Sequence, residues 1–389
     1  MLYVSFRHAW RRCGTVELTR QMDLEMNLSR TLGTVALGVV AGMLTACGGG
    51  SGNSNLSDPP YTSTALVSDG SSPAAHTDPN LQNGWGVAFN PTGTFWVSDN
   101  NTNKSTLYDG NGVVQSLVVT IPAGSSGTAG NTGMVFNTAN GFSISSGGKS
   151  SNAVFMWATE GGTIAAWSPK VLPTQAVTAF DDMAGGANYK GLTLATSNGQ
   201  PYLYATDFHN ATVDVFDTTF TKVQLAGQFN DPDVPQGFAP FGIQAIGSNI
   251  FVTYAMQNAA KSAQVVGAGL GILDEFDTSG NFIKRIESNG GPLNAPWGMA
   301  QAPANFGPLS NDLLVGNFGD GTIEAFNPGT GADLGKLTLS NGQPFLQQGL
   351  WGISFGNNVD SQPSNTLFYA AGPSKTTGVF GRIDVSPAN

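Results

Sequence analysis

Charge is scarce in this chain. Only 11% of its 389 residues are Asp, Glu, Lys or Arg, and the 26 acids outnumber the 16 bases. So few bases exclude the basic footprint that nucleic-acid binding requires. Two cysteines cannot build a disulfide framework. With three histidines, one of them at position 8, and no cysteine after Cys47, a zinc or copper centre is not expected. No Gly-x-Ser-x-Gly elbow and no His-Glu-x-x-His pair occur. Gly335-Lys336 is followed by Leu337 rather than Ser or Thr, and Gly267-Ala268-Gly269-Leu270-Gly271 lacks the last glycine of a dinucleotide fingerprint. Helical periodicity over any length is missing. What the chain does have is glycine, 52 residues of it, and 40% apolar residues, too many for a disordered acidic tail.

Residues 1–47 read as an address. Thr31 to Ala46 is uncharged and mostly apolar, preceded by Arg30. It is shorter than the roughly 20 residues a membrane span needs, and fits the h-region of a signal peptide. It ends Leu44-Thr45-Ala46-Cys47, which resembles a bacterial lipobox whose cysteine takes the lipid. The stretch before it is long, which points to a translation start at Met22 or Met26. Residues 48–62, opening with a Gly/Ser/Asn run, read as a flexible tether, and 63–389 as the folded domain. Cleavage before Cys47 removes five arginines and three acids, leaving 11 bases against 23 acids, a net charge of −12. The expected product is a monomeric lipoprotein in the cell envelope, membrane-anchored through Cys47, facing the periplasm or the cell exterior, with no nucleic-acid partner.

The domain repeats. An aromatic or polar residue precedes a glycine and then apolar alternation at Trp85-Gly86, Thr132-Gly133, Lys190-Gly191, Phe241-Gly242, Trp297-Gly298 and Trp351-Gly352. A β-type run follows each motif, then a tight turn and a third run such as Ala211 to Asp217. In several repeats a fourth follows, as at Val113 to Ile121 or Phe282 to Ile286. Four short strands per unit, six times, predict an all-β, six-bladed β-propeller with four-stranded blades. The last unit ends too soon for a fourth strand, so Thr64 to Ser68 is expected to supply it and close the ring. The glycines are expected where inner strands crowd the axis.

Several phrases are more specific. Asp78-Pro79-Asn80-Leu81, Tyr189-Lys190-Gly191-Leu192, Asp207-Phe208-His209-Asn210, Pro240-Phe241-Gly242-Ile243, Leu293-Asn294-Ala295-Pro296-Trp297-Gly298 and Gly316-Asn317-Phe318-Gly319-Asp320-Gly321 resemble one bacterial family of exported propeller proteins. The resemblance runs from about Thr64 to Arg382. More distantly the chain is similar to NHL-repeat propellers and to calcium-dependent lactonase/phosphotriesterase propellers. The close resemblance implies fold and export but no reaction, so no catalytic residue carries over.

In a propeller, the loop leading into each innermost strand and the loop leaving the second strand open on one face. That groups Asp78, Asn83, Asn131, Lys190 and Asn294 with Asp99, Asn100, Glu160, Asp207, His209, Asn317 and Asp320. Calcium takes roughly six to eight such oxygens, and a metal there could activate water against a lactone or phosphoester. Asp99, Asp207 and Asn317 occupy equivalent repeat positions, however, which also fits turn capping. Lys190 breaks the pattern of its siblings, and a charge near the axis calls for a partner such as Asp207 or Glu160. Trp85, Trp297 and Trp351 read as packing between blades. The favoured reading is a binding or scaffold module for a protein, glycan or small molecule. The alternative is a calcium-dependent hydrolase, which requires three or four of the acidic and amide residues to converge on one point.

Overall fold

The computed structural model describes residues 61–125 and 127–386. Cys47, the lipobox and most of the tether lie outside them. The described residues form six blade sheets, each with four antiparallel strands from the axis outwards; the fourth and sixth also carry a short extra strand, Gln264–Val265 and His76–Thr77. The innermost strands are Gly84–Phe89, Asn131–Phe136, Tyr189–Ser197, Phe238–Ile246, Pro296–Gln301 and Leu350–Phe355. Each touches the next, and the sixth touches the first, so the sheets are the blades of a closed six-bladed β-propeller.

The ring closes as the sequence predicts. Tyr61–Ser68 pairs antiparallel with Thr377–Val385 and becomes the outer strand of blade 6, with Tyr61 opposite Val385 and Ser68 opposite Val379. This strand begins at Tyr61, so the expected boundary at residues 62 and 63 falls inside it. The Tyr61 ring packs 4.8 Å from Phe306, and its hydroxyl donates to the Phe306 carbonyl of blade 5. Two expectations need correction. The run Val113 to Ile121 yields only the short outer strand Val119–Thr120, because the turn at Asp109 to Gly112 leaves Val113 and Val114 in solvent. Blade 2 carries an extra hairpin, Ser143–Ser146 with Lys149–Asn152, beyond the four strands expected of each unit, and it lies within the span from Gly133 to Gly191, the widest between successive repeat glycines.

The period-two alternation of each blade divides its side chains between two neighbours. In the second strand of blade 1, Phe95 and Val97 join the core shared with blade 6, whereas Trp96 joins the core shared with blade 2. Every pair of adjacent blades shares one such buried cluster. A blade alone would expose both faces, so the ring is the unit that folds.

The repeat glycines sit at the tightest contact in the ring. At each one, two residues of the innermost strand oppose a single residue of the second strand. In blade 3, Tyr189 pairs Asp207 and Leu192 pairs Ala205, so Lys190 and Gly191 bulge opposite Thr206. The same bulge recurs in all six blades. There each glycine meets the backbone of the next blade: a Cβ on Gly191 would lie 2.8 Å from the Ile243 nitrogen, and one on Gly352 2.5 Å from the Trp85 carbonyl. A Cβ on Gly242 would overlap the Trp297 carbonyl. None of the six has a positive φ; space, not backbone conformation, demands glycine. Gly242→Ala should therefore lower the unfolding free energy by about 1–3 kcal/mol, the usual cost of overpacking. Urea titration of the variant checks this, and an unchanged midpoint would remove the steric role.

Candidate functional site

A β-bulge re-aims a side chain. Here it turns the residue before each repeat glycine towards the axis. Trp85, Phe241, Trp297 and Trp351 come from blades 1, 4, 5 and 6, yet they meet in one buried cluster. Trp85 stacks on Trp351 at 3.5 Å, Trp297 stands edge-on to both at 5.7 and 5.9 Å, and Phe241 lies 5.9 Å from Trp351. Phe318 stacks on the other side of Trp351 at 4.0 Å. The tryptophans thus fill the channel axis, and the packing they make between blades 5, 6 and 1 lies there rather than in the cores between blade faces. The aromatic cluster plugs one end of the channel.

The fifth and sixth members of this tier are Thr132 and Lys190. Thr132 donates to the Tyr189 carbonyl at 2.9 Å and stitches blade 2 to blade 3. Lys190 is 1% exposed. Its ammonium lies 5.3 Å from the Trp85 ring centroid and 5.9 Å from that of Phe208. Burying an ammonium is costly without a counter-charge, and Glu160 supplies it through a direct ion pair with Lys190 Nζ. The ring faces contribute a further cation–π attraction.

Glu160 anchors a loop of polar contacts around the plug. Its second oxygen accepts from Asn100 Nδ2 at 3.1 Å, Asn100 Oδ1 accepts from Asn83 Nδ2 at 3.0 Å, and Asn83 Oδ1 accepts from Trp351 Nε1 at 3.1 Å. Trp351 stacks on Trp85, and Lys190 lies over Trp85, so the circuit closes across blades 6, 1, 2 and 3. Asn83 occupies a left-handed conformation at φ 52°, which asparagine tolerates. Burial pushes the Glu160 carboxyl up, but the Lys190 charge and the hydrogen bonds from Lys190 and Asn100 outweigh it, holding it below its usual 4.5.

Of the twelve residues expected at this face, the structure brings Asn83, Asn100, Glu160 and Lys190 into one network. Most of the others have separate partners. Asp78 caps its own turn by accepting from the Asn80 amide at 2.9 Å, and takes the Tyr108 hydroxyl at 3.0 Å. Asn131 donates to Ser98 Oγ at 2.7 Å. Asp207 accepts from the Asn188 amide at 3.1 Å and from Asn210 Nδ2 at 2.8 Å. Asn294 accepts from the Gly267 amide at 2.8 Å, and its own amide donates to Asn317 Oδ1 at 2.9 Å. Asp320 caps Thr322 and reaches Lys336 of the outer strand. His209 is half-buried, and its carbonyl accepts from Gln257 Nε2 at 3.3 Å. Asp99 has no exposed surface, and burial drives its carboxyl well above the usual range, more than neighbouring Thr106 offsets. Among the described residues, no three His, Cys, Asp or Glu side chains gather as a metal site. The axial direction of the stacked tryptophans has no signal in the sequence, because only the bulge sets it.

No protein-family profile matches the chain. Two curated proteins of Acanthamoeba polyphaga mimivirus do. Uncharacterized protein R648 is 32% identical over 298 residues, covering 74% of this chain and 72% of its own length. Uncharacterized protein L690 is 32% identical over 325 residues, covering 82% of this chain and 84% of its own. The chain belongs to their family. These relatives are viral, so they lend nothing to the expected bacterial, exported origin. A solved propeller named for gluconolactonase matches at 13% identity with a TM-score of 0.50, over 83% of this chain and 92% of its own. That likeness is one of fold.

The two partners of the ion pair differ in exposure, and the cost of removing each should differ too. Glu160→Ala strands a buried ammonium and should cost about 3–5 kcal/mol. Lys190→Met leaves a carboxylate that is 35% exposed, and should cost clearly less. Because the folded Glu160 titrates below 4.5, its contribution is present above that pH and fades as pH falls through the lower folded value. Glu160→Ala should flatten the acid limb of a stability–pH curve. Equal costs for the two variants, or an unchanged acid limb, would argue against the pair as the axial counter-charge.

Proposed function

We propose that the protein is exported, anchored to a membrane by lipid on Cys47, and works as a binding or scaffold module through the face carrying the Glu160–Lys190 rim. One observation supports binding over hydrolysis: most polar residues of this face are engaged one by one by protein partners, and from the axial network Glu160 and Asn100 are partly exposed. Such a surface is rigid and preorganised, which lowers the ordering cost of docking a protein, glycan or small molecule. The export part is supported by the apolar stretch Thr31 to Ala46 and the Leu44-Thr45-Ala46-Cys47 phrase.

Two measurements test this reading. Cys47→Ser should move the protein from the membrane to the soluble fraction on cell fractionation; retention on the membrane would overturn the anchor. Thermal melts with EDTA and with added Ca²⁺ should coincide, and a screen of lactones and aryl esters should show no turnover. A calcium-dependent rise in Tm together with lactone hydrolysis would replace binding by the hydrolase alternative.

A further inference from the structure

The other end of the channel has a different chemistry. A cavity of about 490 Å³ opens there, lined by innermost strands of all six blades. A smaller space of about 40 Å³ continues inwards, sharing Val87, Met134, Gln244, Met299 and Ile353 with the first and ending at Trp297 of the aromatic cluster. The channel is thus a dead end. In a chain with 42 charged residues, 26 acids and 16 bases, not one residue lining either space is Asp, Glu, Lys, Arg or His.

The lining is layered by strand register. The position after each repeat glycine holds Val87, Met134, Leu192, Ile243, Met299 and Ile353, an apolar collar without exception. One residue further out, Thr193, Gln244 and Ser354 place neutral hydrogen-bonding groups among Ala88, Val135 and Ala300. Gln244 Nε2 has only a long 3.4 Å contact to the Ala245 carbonyl, and Ser354 Oγ a 3.3 Å contact to that of Phe355. Both retain capacity for a ligand. The mouth also runs outwards between blades 2 and 3, into a space of about 400 Å³ that shares Thr138 and Leu194. An elongated molecule fits this shape better than a compact one.

We infer that this mouth is a binding site for a neutral amphiphile, its apolar end in the collar and its uncharged polar head at the Thr193, Gln244 and Ser354 tier. Two methionines in the collar, Met134 and Met299, let the lumen adapt to chains of differing width. The uncharged lining makes a carboxylate or ammonium head costly, since neither would find a counter-ion. This site is separate from the Glu160–Lys190 face and stands or falls independently of it.

Calorimetric titration of the purified full-length chain with hexyl, heptyl and octyl glucoside, below their micelle-forming concentrations, tests the assignment. Octanoate and octyltrimethylammonium serve as charged counterparts. The expected result is saturable one-site binding that tightens about fourfold per methylene, with both charged amphiphiles weaker by about tenfold or more. Met299→Trp should fill the collar and abolish octyl glucoside binding. Gln244→Glu, at a half-buried position, should weaken it while leaving the Tm near that of the parent, and it decides the matter if Met299→Trp does not fold. Equal affinity for all three head groups, no dependence on chain length, or unchanged binding in the folded variants would overturn the site.

Discussion

The structure depends on backbone-to-backbone contact between innermost strands. Each repeat glycine abuts the strand of the next blade so closely that no Cβ fits, and the contacts run from Gly86 through Gly352 back to Trp85. Close approach requires the bulge, and the bulge sends the preceding side chain to the axis. Threonines lock the geometry: Thr206 Oγ1 accepts from the Gly191 amide at 2.7 Å and donates to the Phe241 carbonyl at 2.8 Å, and Thr253 repeats this between Gly242 and Pro296. One local device therefore sets the ring's tightness and decides what occupies its centre.

From that device follow two unlike channel ends. On one, bulged aromatics from four blades stack into a plug, and the single lysine among them must find a carboxylate or destabilise the ring. Glu160 answers from blade 2, and the amides of Asn100 and Asn83 extend its hydrogen bonding to Trp351. On the other end the strands diverge past the glycines, and side chains of ordinary alternation line a neutral lumen. The polarity of the molecule along its axis thus comes from strand direction: all six innermost strands run the same way, so six equivalent positions make each tier.

The blades themselves contribute burial rather than chemistry. Six shared cores and the N-terminal strand on blade 6 hold the ring shut, and Tyr61 ties that strand to blade 5 as well. Carboxylates at the strand ends mostly serve turns. Asp207 and Asn317 cap the amides just before the innermost strands of their blades, whereas Asp99, at the equivalent place in blade 1, is buried and driven towards its protonated form. Membership in the family of the mimivirus relatives rests on identity over most of the chain, and the propeller architecture accounts for why repeat glycines and turn residues dominate what the sequence displays.

The amino-acid sequence alone determined blade number, strand order and the closing strand, because glycine spacing and period-two alternation are local and repeat six times. It also marked Lys190 as an exception, since a charge among aromatics violates its own repeat. It did not show that Trp85, Trp297 and Trp351 would meet at the axis rather than in the cores between blade faces. A bulge is a two-against-one mismatch between strands, and single-strand periodicity does not reveal it. Nor could it separate Glu160 from Asp78, Asp207 or Asp320, which look alike as acids near turns. Only the closed ring, by setting which side chains reach the axis across several blades, decided that Glu160 faces Lys190 while the others satisfy their own loops.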